Sequence, residues 1–421
     1  MFRKVLALVG LLCSCMLAAQ ETDSLRRWGA TVSVSPGHVL VVDEYQRKWQ
    51  KGTSNFSVDL SVQHISLPSD SDAFAADFGF PTISGGLKYG FNHGVTMHKS
   101  PDPAWGLAEE VNYDSHMGNH LSAYASFARP IWRTSRWEFD YSLSMGLGYS
   151  RRKYDRWKNV DNELIGSRFL IFFGAGTHLT WRFAESWGLK AGMEYWHLSN
   201  GALNWPNKGA NFLGPSLGLV YMPYYNKVSE KSARPSRPSF NKYWFMDVAV
   251  GVGGKTLNEE WLLTQFGTPP GEENYRTDDF SIYLAYSLQV DLMRRYARRW
   301  ASGIGVDVFY GPYASRVRRI DERQGVQARH SAWSAGVALK HQVYYHRFAL
   351  AMSLGYYLYR EMGMNASKIE KPYYERIGIQ YECPAIGGLT IGAFVKAHLT
   401  KADLTELVVA LPIRIGSKHM P

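Results

Sequence analysis

Residues 137–149 alternate apolar and polar side chains without a single exception. The odd positions are all large and apolar, whereas the even positions carry only Glu, Asp, Ser and Gly. Successive side chains of a β-strand point to opposite faces, so this period predicts a strand with one apolar and one polar face. Strands of soluble proteins typically have about five or six residues, whereas a strand of about a dozen can cross a bilayer at a tilt. The pattern therefore favours a membrane β-barrel.

The same alternation recurs along the whole chain, at residues 56–62, 244–252, 282–292, 304–310, 348–358 and 407–415. Lipid cannot hydrogen-bond to an open sheet edge, so strands that cross a bilayer must close into a barrel. We therefore predict an all-β fold, an antiparallel outer-membrane β-barrel. The alternative, a secreted β-sandwich, is disfavoured by the length of the strands and by their aromatic ends.

Residues 226–241 interrupt the strand pattern with a charged segment that contains Pro and Ser, as a linker would. About eight strands are expected on either side, and the halves resemble each other: residues 136–149 match 347–356, and residues 188–199 match 388–400. We predict an internal duplication into two tandem eight-stranded barrel units, with one barrel of about sixteen strands as the alternative. The predicted units are a first barrel at 20–225, a linker at 226–241 and a second, degenerate barrel repeat at 242–421.

The N-terminal residues 1–19 have the composition of a signal peptide. Arg3 and Lys4 precede an apolar run, 5–19, that is too short to span a bilayer and is followed by a cleavage junction. We therefore expect an exported protein of the cell outer membrane. Only Cys383 follows this segment, which excludes an intramolecular disulfide. The net charge of +10 favours an anionic membrane surface over nucleic acid, because the sequence has neither zinc-finger spacing nor a basic helix.

Candidate chemistry lies at the end of the predicted strand 187–199. His197 and Ser199 share one face of this strand, and Lys190 and Glu194 share the other. Charged side chains are costly against lipid, so the charged face must line the lumen and His197 and Ser199 must point outward. On the next strand Asn211 is in phase with the outward face. A Ser hydroxyl needs an imidazole to take its proton, and the imidazole needs a third group to fix its tautomer, so these residues can form a nucleophilic site.

The run His197-Leu198-Ser199-Asn200, followed by Asn207 and Gly209 in the last hairpin of a barrel, resembles the lipid A 3-O-deacylase family (PagL-type, acyloxyacyl hydrolase-like). The resemblance is best over residues 181–224. It implies an eight-stranded outer-membrane barrel that binds lipopolysaccharide and hydrolyses the ester-linked 3-hydroxyacyl chain at the 3 position of lipid A, without a metal or other cofactor. It further implies that His197 is the general base and Ser199 the nucleophile, while Asn200 and Asn207 position the site or stabilise the oxyanion.

One residue departs from the family pattern, which has a Glu where this chain has Asn211. An amide oxygen can accept a hydrogen bond from the imidazole, but it stabilises the imidazolium less than a carboxylate does, so weaker or altered activity is expected. In the second half, His398 falls on the polar face and Lys401 takes the place of Asn200, so this half is expected to be non-catalytic.

The sequence thus predicts a carboxylic ester hydrolase of the outer membrane whose partner is lipid A, with His197, Ser199 and Asn211 as the catalytic set. The alternative is a non-enzymatic barrel that is structural, binds lipid or forms a pore. The acyl position cleaved and the oligomeric state are left open at this stage.

Overall fold

The computed structural model describes residues 27–103, 109–229, 239–399 and 401–416. The predicted signal peptide at 1–19 lies outside these residues, as does the middle of the predicted linker, and both stay predictions. Two closed antiparallel β-barrels follow one another along the chain. The first strand of each barrel also pairs with the last strand of the same barrel, β1 with β9 and β10 with β17, which closes each ring. The tandem arrangement is therefore confirmed, and the single barrel of about sixteen strands is wrong.

The first barrel contains eight long strands and a short one, β4, that only extends the edge of β3. Its ring closes because β2 pairs with both β1 and β3. The strands are β1 Trp28–Val39, β2 Gln50–Ile65, β3 Thr82–Met97, β4 Ser115–His116, β5 His120–Arg133, β6 Trp137–Ser150, β7 Phe169–Arg182, β8 Trp187–Ser199 and β9 Ala210–Tyr221.

The second barrel contains eight strands in sequential order. They are β10 Tyr243–Lys255, β11 Tyr283–Ala297, β12 Trp300–Tyr310, β13 His330–Tyr345, β14 Phe348–Met362, β15 Tyr373–Cys383, β16 Leu389–His398 and β17 Lys401–Ile415. The α-helices lie between strands, at Glu44–Trp49, Ala73–Asp77, Tyr225–Ser229, Asn258–Leu262 and Ala314–Arg323. Among the residues described, no helix combines the length and the apolar character needed to cross a membrane.

The period-two pattern separates an apolar outer surface from a charged lumen. Outward positions such as Leu147 and Leu407 are 72% and 67% exposed, which only a lipid environment makes favourable for a whole band of such side chains. Ion pairs lie in both lumens. Lys88 Nζ lies 2.8 Å from Glu194 Oε2 in the first barrel, and Lys340 Nζ lies 2.6 Å from Asp307 Oδ1 in the second. The buried charges of these two pairs are tolerated because each lies beside a partner of opposite sign.

The connections between strands differ in length at the two ends of each barrel. Most of the short ones lie at one end, such as β5–β6, β7–β8 and β11–β12, which we call the turn end. The opposite end, the loop end, carries long connections such as those after β6 and β10. In outer-membrane barrels the short turns face the periplasm and the long loops face outward. Strand β8 therefore runs toward the outer face and ends there at Ser199.

The similar segments found in the sequence occupy equivalent strands of the two barrels, which agrees with an internal duplication. Strands β6 and β14 contain the first pair of similar segments, and each is the fifth long strand of its barrel. Strands β8 and β16 contain the second pair, and each is the seventh. The two barrels also touch at their turn ends, where Tyr345 packs edge-on against Phe78 and Phe127 with centroid distances of 5.8 and 5.2 Å. The halves are thus similar units in direct contact.

Candidate active site

His197 and Asn211 lie directly opposite each other on the neighbouring strands β8 and β9. The imidazole Nδ1 lies 2.8 Å from Asn211 Oδ1, and the Tyr195 hydroxyl donates to the same oxygen at 2.7 Å. If Nδ1 carries the hydrogen that it donates to Asn211, Nε2 is left unprotonated and can act as a base. The half-exposed Met193 on the same strand face shows that this face points outward. The predicted contact between base and orienting amide therefore exists.

Ser199 ends β8 two residues beyond His197 and is in phase with it. Its side chain is only 7% exposed, because the loop that follows folds over the end of the strand. Across the residues that the structure describes, no hydrogen bond joins Ser199 Oγ to the His197 ring. The structure therefore brings His197 and Asn211 into contact and leaves Ser199 adjacent to them, at the edge of the loop end.

Asn200 and Asn207 tie the loop between β8 and β9 to the end of the strand. The Asn200 backbone N–H donates to Asn207 Oδ1 at 3.0 Å, and Asn200 Nδ2 donates to the Asn204 carbonyl at 2.9 Å. Asn200 Oδ1 is buried without a hydrogen-bond partner within the described chain. The carboxamide of Asn207 is anchored by its oxygen, which accepts the Asn200 N–H. Both residues are thus placed next to the proposed nucleophile.

Gly209 packs against the imidazole of His197 from the loop side. The sequence motif contains this residue but does not indicate its role. A Cβ atom at this position would lie 2.5 Å from His197 Cε1, which is closer than packed atoms approach. The residue also has φ of +79°, which favours glycine. Its N–H donates to the Leu164 carbonyl at 2.9 Å, so the backbone is held against the ring from behind. Gly209 therefore restricts where the imidazole can lie.

A tight turn follows Ser199. Leu203 N–H donates to the Asn200 carbonyl at 3.2 Å, and the two residues between them, Gly201 and Ala202, have φ of +63° and +72°. Two consecutive positive φ angles are typical of a type I′ turn. A left-handed conformation costs a non-glycine residue about 1 kcal/mol, so Ala202 must be held there by its surroundings.

Charged residues brace the outer side of this loop. Lys208 forms an ion pair with Asp43 and lies 5.2 Å from the centroid of the Tyr45 ring, whose hydroxyl donates to Glu163 Oε1 at 2.7 Å. Burial and the neighbouring Glu163 carboxylate raise the pKa of Tyr45, so its hydroxyl keeps its proton and remains a donor. The backbone N–H of Lys208 donates to the Glu163 carbonyl at 3.1 Å. These contacts fix the loop segment that leads to Gly209.

The corresponding strand of the second barrel has a different environment. His398 lies in the lumen, where its Nε2 is 3.1 Å from the Tyr357 hydroxyl, as the polar phase of the strand predicted. Glu370 and Asp403 lie close enough to His398 to suggest a metal site. Three cationic side chains already neutralise these carboxylates, so the cluster does not suit a divalent cation. They are Lys255, Arg360 and Lys396.

Sequence reasoning missed several residues around the site. Tyr195 shares the outward face with His197 at a spacing of two, so the alternation alone could have identified it. Ala202 carried no signal, because alanine does not favour positive φ. Thr256 and Thr405 contact the same turn from the second barrel, and only the packing of the two barrels reveals them.

The fold and the site define an outer-membrane β-barrel with an outward-facing His–Asn pair beside a buried Ser. A family profile described as lipid A 3-O-deacylase (PagL) matches residues 83–220, and one described as acyloxyacyl hydrolase, C-terminal domain, matches residues 244–414. Together these matches cover well over half of the chain. The protein belongs to the lipid A 3-O-deacylase (PagL), acyloxyacyl hydrolase-like family, as the residue pattern around His197 predicted.

Solved structures with a similar arrangement of strands include the outer membrane enzyme PagL and Neisserial surface protein A. The first is 17% identical, covers 45% of this chain and 98% of its own, and has a TM-score of 0.28. The second is 12% identical, covers 46% and 96%, and also has a TM-score of 0.28. A porin of Rhodopseudomonas blastica covers 92% of this chain and 99% of its own at 6% identity and a TM-score of 0.16. No curated protein matches the chain.

Proposed function

We propose that this protein is an esterase of the outer membrane that hydrolyses an ester-linked acyl chain of lipid A, with Ser199 as nucleophile and His197 as base. The observation that carries the proposal is the His197–Asn211 hydrogen bond on the outward face of β8 and β9. Ser199 lies two residues beyond His197 on β8. A nucleophile, a base and an orienting amide on the lipid-facing wall suit a substrate that is itself a membrane lipid. The family match supports the same substrate class.

The reaction follows from the roles of these groups. Ser199 Oγ attacks the ester carbonyl carbon while His197 Nε2 takes the hydroxyl proton, and the carbonyl oxygen becomes an oxyanion. The imidazolium returns the proton to the sugar oxygen as the C–O bond breaks, which releases the deacylated lipid A and leaves an acyl-serine. Water, deprotonated by the same imidazole, hydrolyses this ester and frees the fatty acid. Catalytic hydrogen bonds often tighten only when substrate is bound, so the proposal does not require a hydrogen bond between Ser199 and His197 in the free protein.

Asn207 is the donor that we assign to the oxyanion. Its Oδ1 is anchored by the Asn200 N–H, and this contact directs the Nδ2 group away from that backbone. A side-chain amide that donates to a developing oxyanion typically contributes about 2.7–4 kcal/mol to the transition state. Asn200 holds the loop through its backbone and side chain, so its role in the proposal is to position Asn207.

The location of the site fits a substrate in the outer leaflet. Strand β8 ends at the loop end of the first barrel, where the long loops face the outside of the cell in this class of barrel. Lipid A lies in that leaflet, and its ester groups lie near the boundary between headgroup and acyl chains. A pore function is disfavoured, because buried ion pairs such as Lys88–Glu194 cross the narrow lumen of an eight-stranded barrel and obstruct it.

Mass analysis of lipid A tests the proposal. Expression of the chain should remove one acyl chain from lipid A and release the corresponding fatty acid, and Ser199→Ala should abolish both changes. Ser216→Ala is the matched control, since Ser216 is equally buried on the adjacent strand but lines the lumen. An unchanged lipid A profile in cells that contain the correctly folded wild-type barrel would reject the esterase and favour a non-enzymatic barrel.

A further inference from the structure

The turn that follows Ser199 is held by the second barrel. Thr256 donates from both its backbone N–H and its hydroxyl to the Ala202 carbonyl, at 2.8 and 3.0 Å. The Thr405 hydroxyl donates to the carbonyl of the preceding residue, Gly201. The carbonyls of both central residues of the turn are therefore bonded to β17 and to the end of β10, although the turn belongs to the first barrel.

The fit between the turn and the second barrel is close. A Cβ atom at Gly201 would lie 2.3 Å from Thr405 Oγ1, so only glycine allows this approach. Thr256 and Ala202 are almost completely buried, at 2% and 3% exposure, so their hydrogen bonds are shielded from water. A buried hydrogen bond has no competing solvent partner, and its loss leaves a carbonyl unsatisfied. These hydrogen bonds therefore offset the free-energy cost of the positive φ angle at Ala202.

A third contact from the second barrel holds the loop between β8 and β9, a few residues after the turn. The ring of Trp205 stacks on Trp261 of the second barrel, with 6.2 Å between centroids and 15° between the planes. Tyr154 of the first barrel packs edge-on against the same Trp261 at 5.3 Å. The loop between Ser199 and Asn207 is thus fixed to the second barrel at both its turn and its middle.

We infer that the second barrel is a positioning unit for the catalytic loop, in which Thr256 and Thr405 fix the backbone that sets Ser199 and Asn207 relative to each other. This inference rests on the proposed function for its catalytic part. Neither threonine touches the reacting atoms, so both act through the turn. In the second barrel, His398 lies in the lumen and not on the outward face, so this repeat does not present the histidine of the candidate site. Its loop end can still hold the turn of the neighbouring barrel.

Isosteric replacements of the two threonines test the inference in the full-length chain. The double variant Thr256→Val with Thr405→Val removes both hydroxyl donors and keeps the shape of the side chains. We expect kcat for lipid A deacylation to fall at least tenfold with KM nearly unchanged, because substrate contacts are not altered. The variant Thr256→Ser with Thr405→Ser keeps the hydroxyls and should restore kcat to within about threefold of wild type.

A matched control comes from the second barrel itself. Thr390 donates to the Ala410 carbonyl at 3.4 Å on β16, at the turn end and far from the loop, so Thr390→Val should leave kcat unchanged. If the double valine variant retains wild-type kcat, or if the serine variant does not rescue it, the positioning role is overturned.

Amide hydrogen exchange separates this inference from the proposed function. The N–H groups of Leu203 and Thr256 are bonded within and to the turn, and we expect both to exchange at least tenfold faster in the double valine variant than in wild type. If the wild-type chain is inactive but shows this exchange difference, the proposed esterase function is rejected and the role of the two threonines in holding the turn is kept. If exchange is unchanged, that role is rejected, whatever the activity of the wild type.

Discussion

His197 and Asn211 form a cross-strand pair in which the amide oxygen Oδ1 of Asn211 lies 2.8 Å from the imidazole Nδ1 of His197. The same oxygen accepts the Tyr195 hydroxyl at 2.7 Å, so one neutral acceptor serves two donors. A carboxylate there would stabilise the imidazolium that forms when Ser199 loses its proton, whereas the amide only orients the ring. In the proposed mechanism, Asn211 therefore gives the imidazolium less electrostatic stabilisation than a carboxylate would give.

Replacement of this amide by a carboxylate should increase activity. Asn211→Glu places a negative charge beside the imidazole, and hydrogen bonds between charged groups are roughly twice as strong as neutral ones. We expect kcat to rise about tenfold, which corresponds to about 1.4 kcal/mol. Asn211→Leu should lower kcat by about ten- to a hundredfold, because the loss of a buried hydrogen bond typically costs about 1–3 kcal/mol.

Steady-state deacylation of lipid A in detergent micelles measures both changes. Tyr195→Phe is the control, since it removes the second donor to Asn211 and keeps the bond to His197, and its kcat should stay within about threefold of wild type. Equal rates for Asn211→Leu and wild type would show that the amide does not orient the base.

A methyl group at Gly209 should displace the imidazole. The added Cβ of Gly209→Ala would lie 2.5 Å from His197 Cε1, so the ring must shift from the position in which it contacts Asn211. We expect kcat to fall by about a hundredfold, because a misplacement of about 1 Å can cost that much. Gly271→Ala isolates the effect of backbone strain, since Gly271 also has positive φ, +90°, but has no neighbour within 4 Å of an added Cβ. Comparable kcat values for the two variants would contradict the steric role of Gly209.

Alternation of apolar and polar residues was sufficient to predict most of the fold. The segment 137–149 became β6, Trp137–Ser150, and the strand that carries the site has the bounds 187–199 that its pattern indicated. The outward phase of Asn211 predicted its contact with His197, because strand pairing brings in-phase residues of neighbouring strands together. Period and phase are local properties, so they can be read from one sequence.

Features that depend on contacts between distant parts of the chain could not be predicted in this way. Ala202 adopts positive φ because Thr256 and Thr405 bond the turn, and nothing in its own sequence neighbourhood favours that conformation. Strand β17 begins at Lys401, whereas the alternation predicted a strand from 407. A register shift near Lys396 and Ala397 of the paired strand β16 disturbs the alternation before 407. Such irregular positions are where tertiary packing overrides the local pattern.

The turn-end contact between the barrels should stabilise the second barrel. Tyr345 packs edge-on against Phe74, Phe78 and Phe127 of the first barrel, at centroid distances of 6.3, 5.8 and 5.2 Å. Aromatic pairs contribute about 0.5–1.5 kcal/mol each, so the loss of three pairs in Tyr345→Ala should lower the free energy of unfolding by about 1.5–4.5 kcal/mol. Equilibrium unfolding in urea, followed by tryptophan fluorescence in micelles, measures the change.

Tyr381→Ala provides the comparison for this contact. Tyr381 lies at the same end of the second barrel and has an aromatic contact with Phe348 at 4.9 Å, within its own barrel. We expect it to cost less than Tyr345→Ala. A larger loss for Tyr381→Ala would show that the interface between the barrels adds little to stability.

His98, in the loop after β3, should titrate above the usual range for histidine. Its Nε2 lies 2.9 Å from Glu110 Oε1 and its Nδ1 lies 3.2 Å from Asp114 Oδ1, and the hydrogen bond to Glu110 raises the pKa of His98. A histidine with a raised pKa in the folded state stabilises that state fully below pH 6.5, its unfolded value, and loses this contribution as the pH rises through the folded pKa. NMR titration of the imidazole should therefore give a pKa above 6.5, and Glu110→Gln should lower it. A pKa of 6.5 or less in the wild-type chain would show that the two carboxylates do not pair with His98 in the membrane-bound protein.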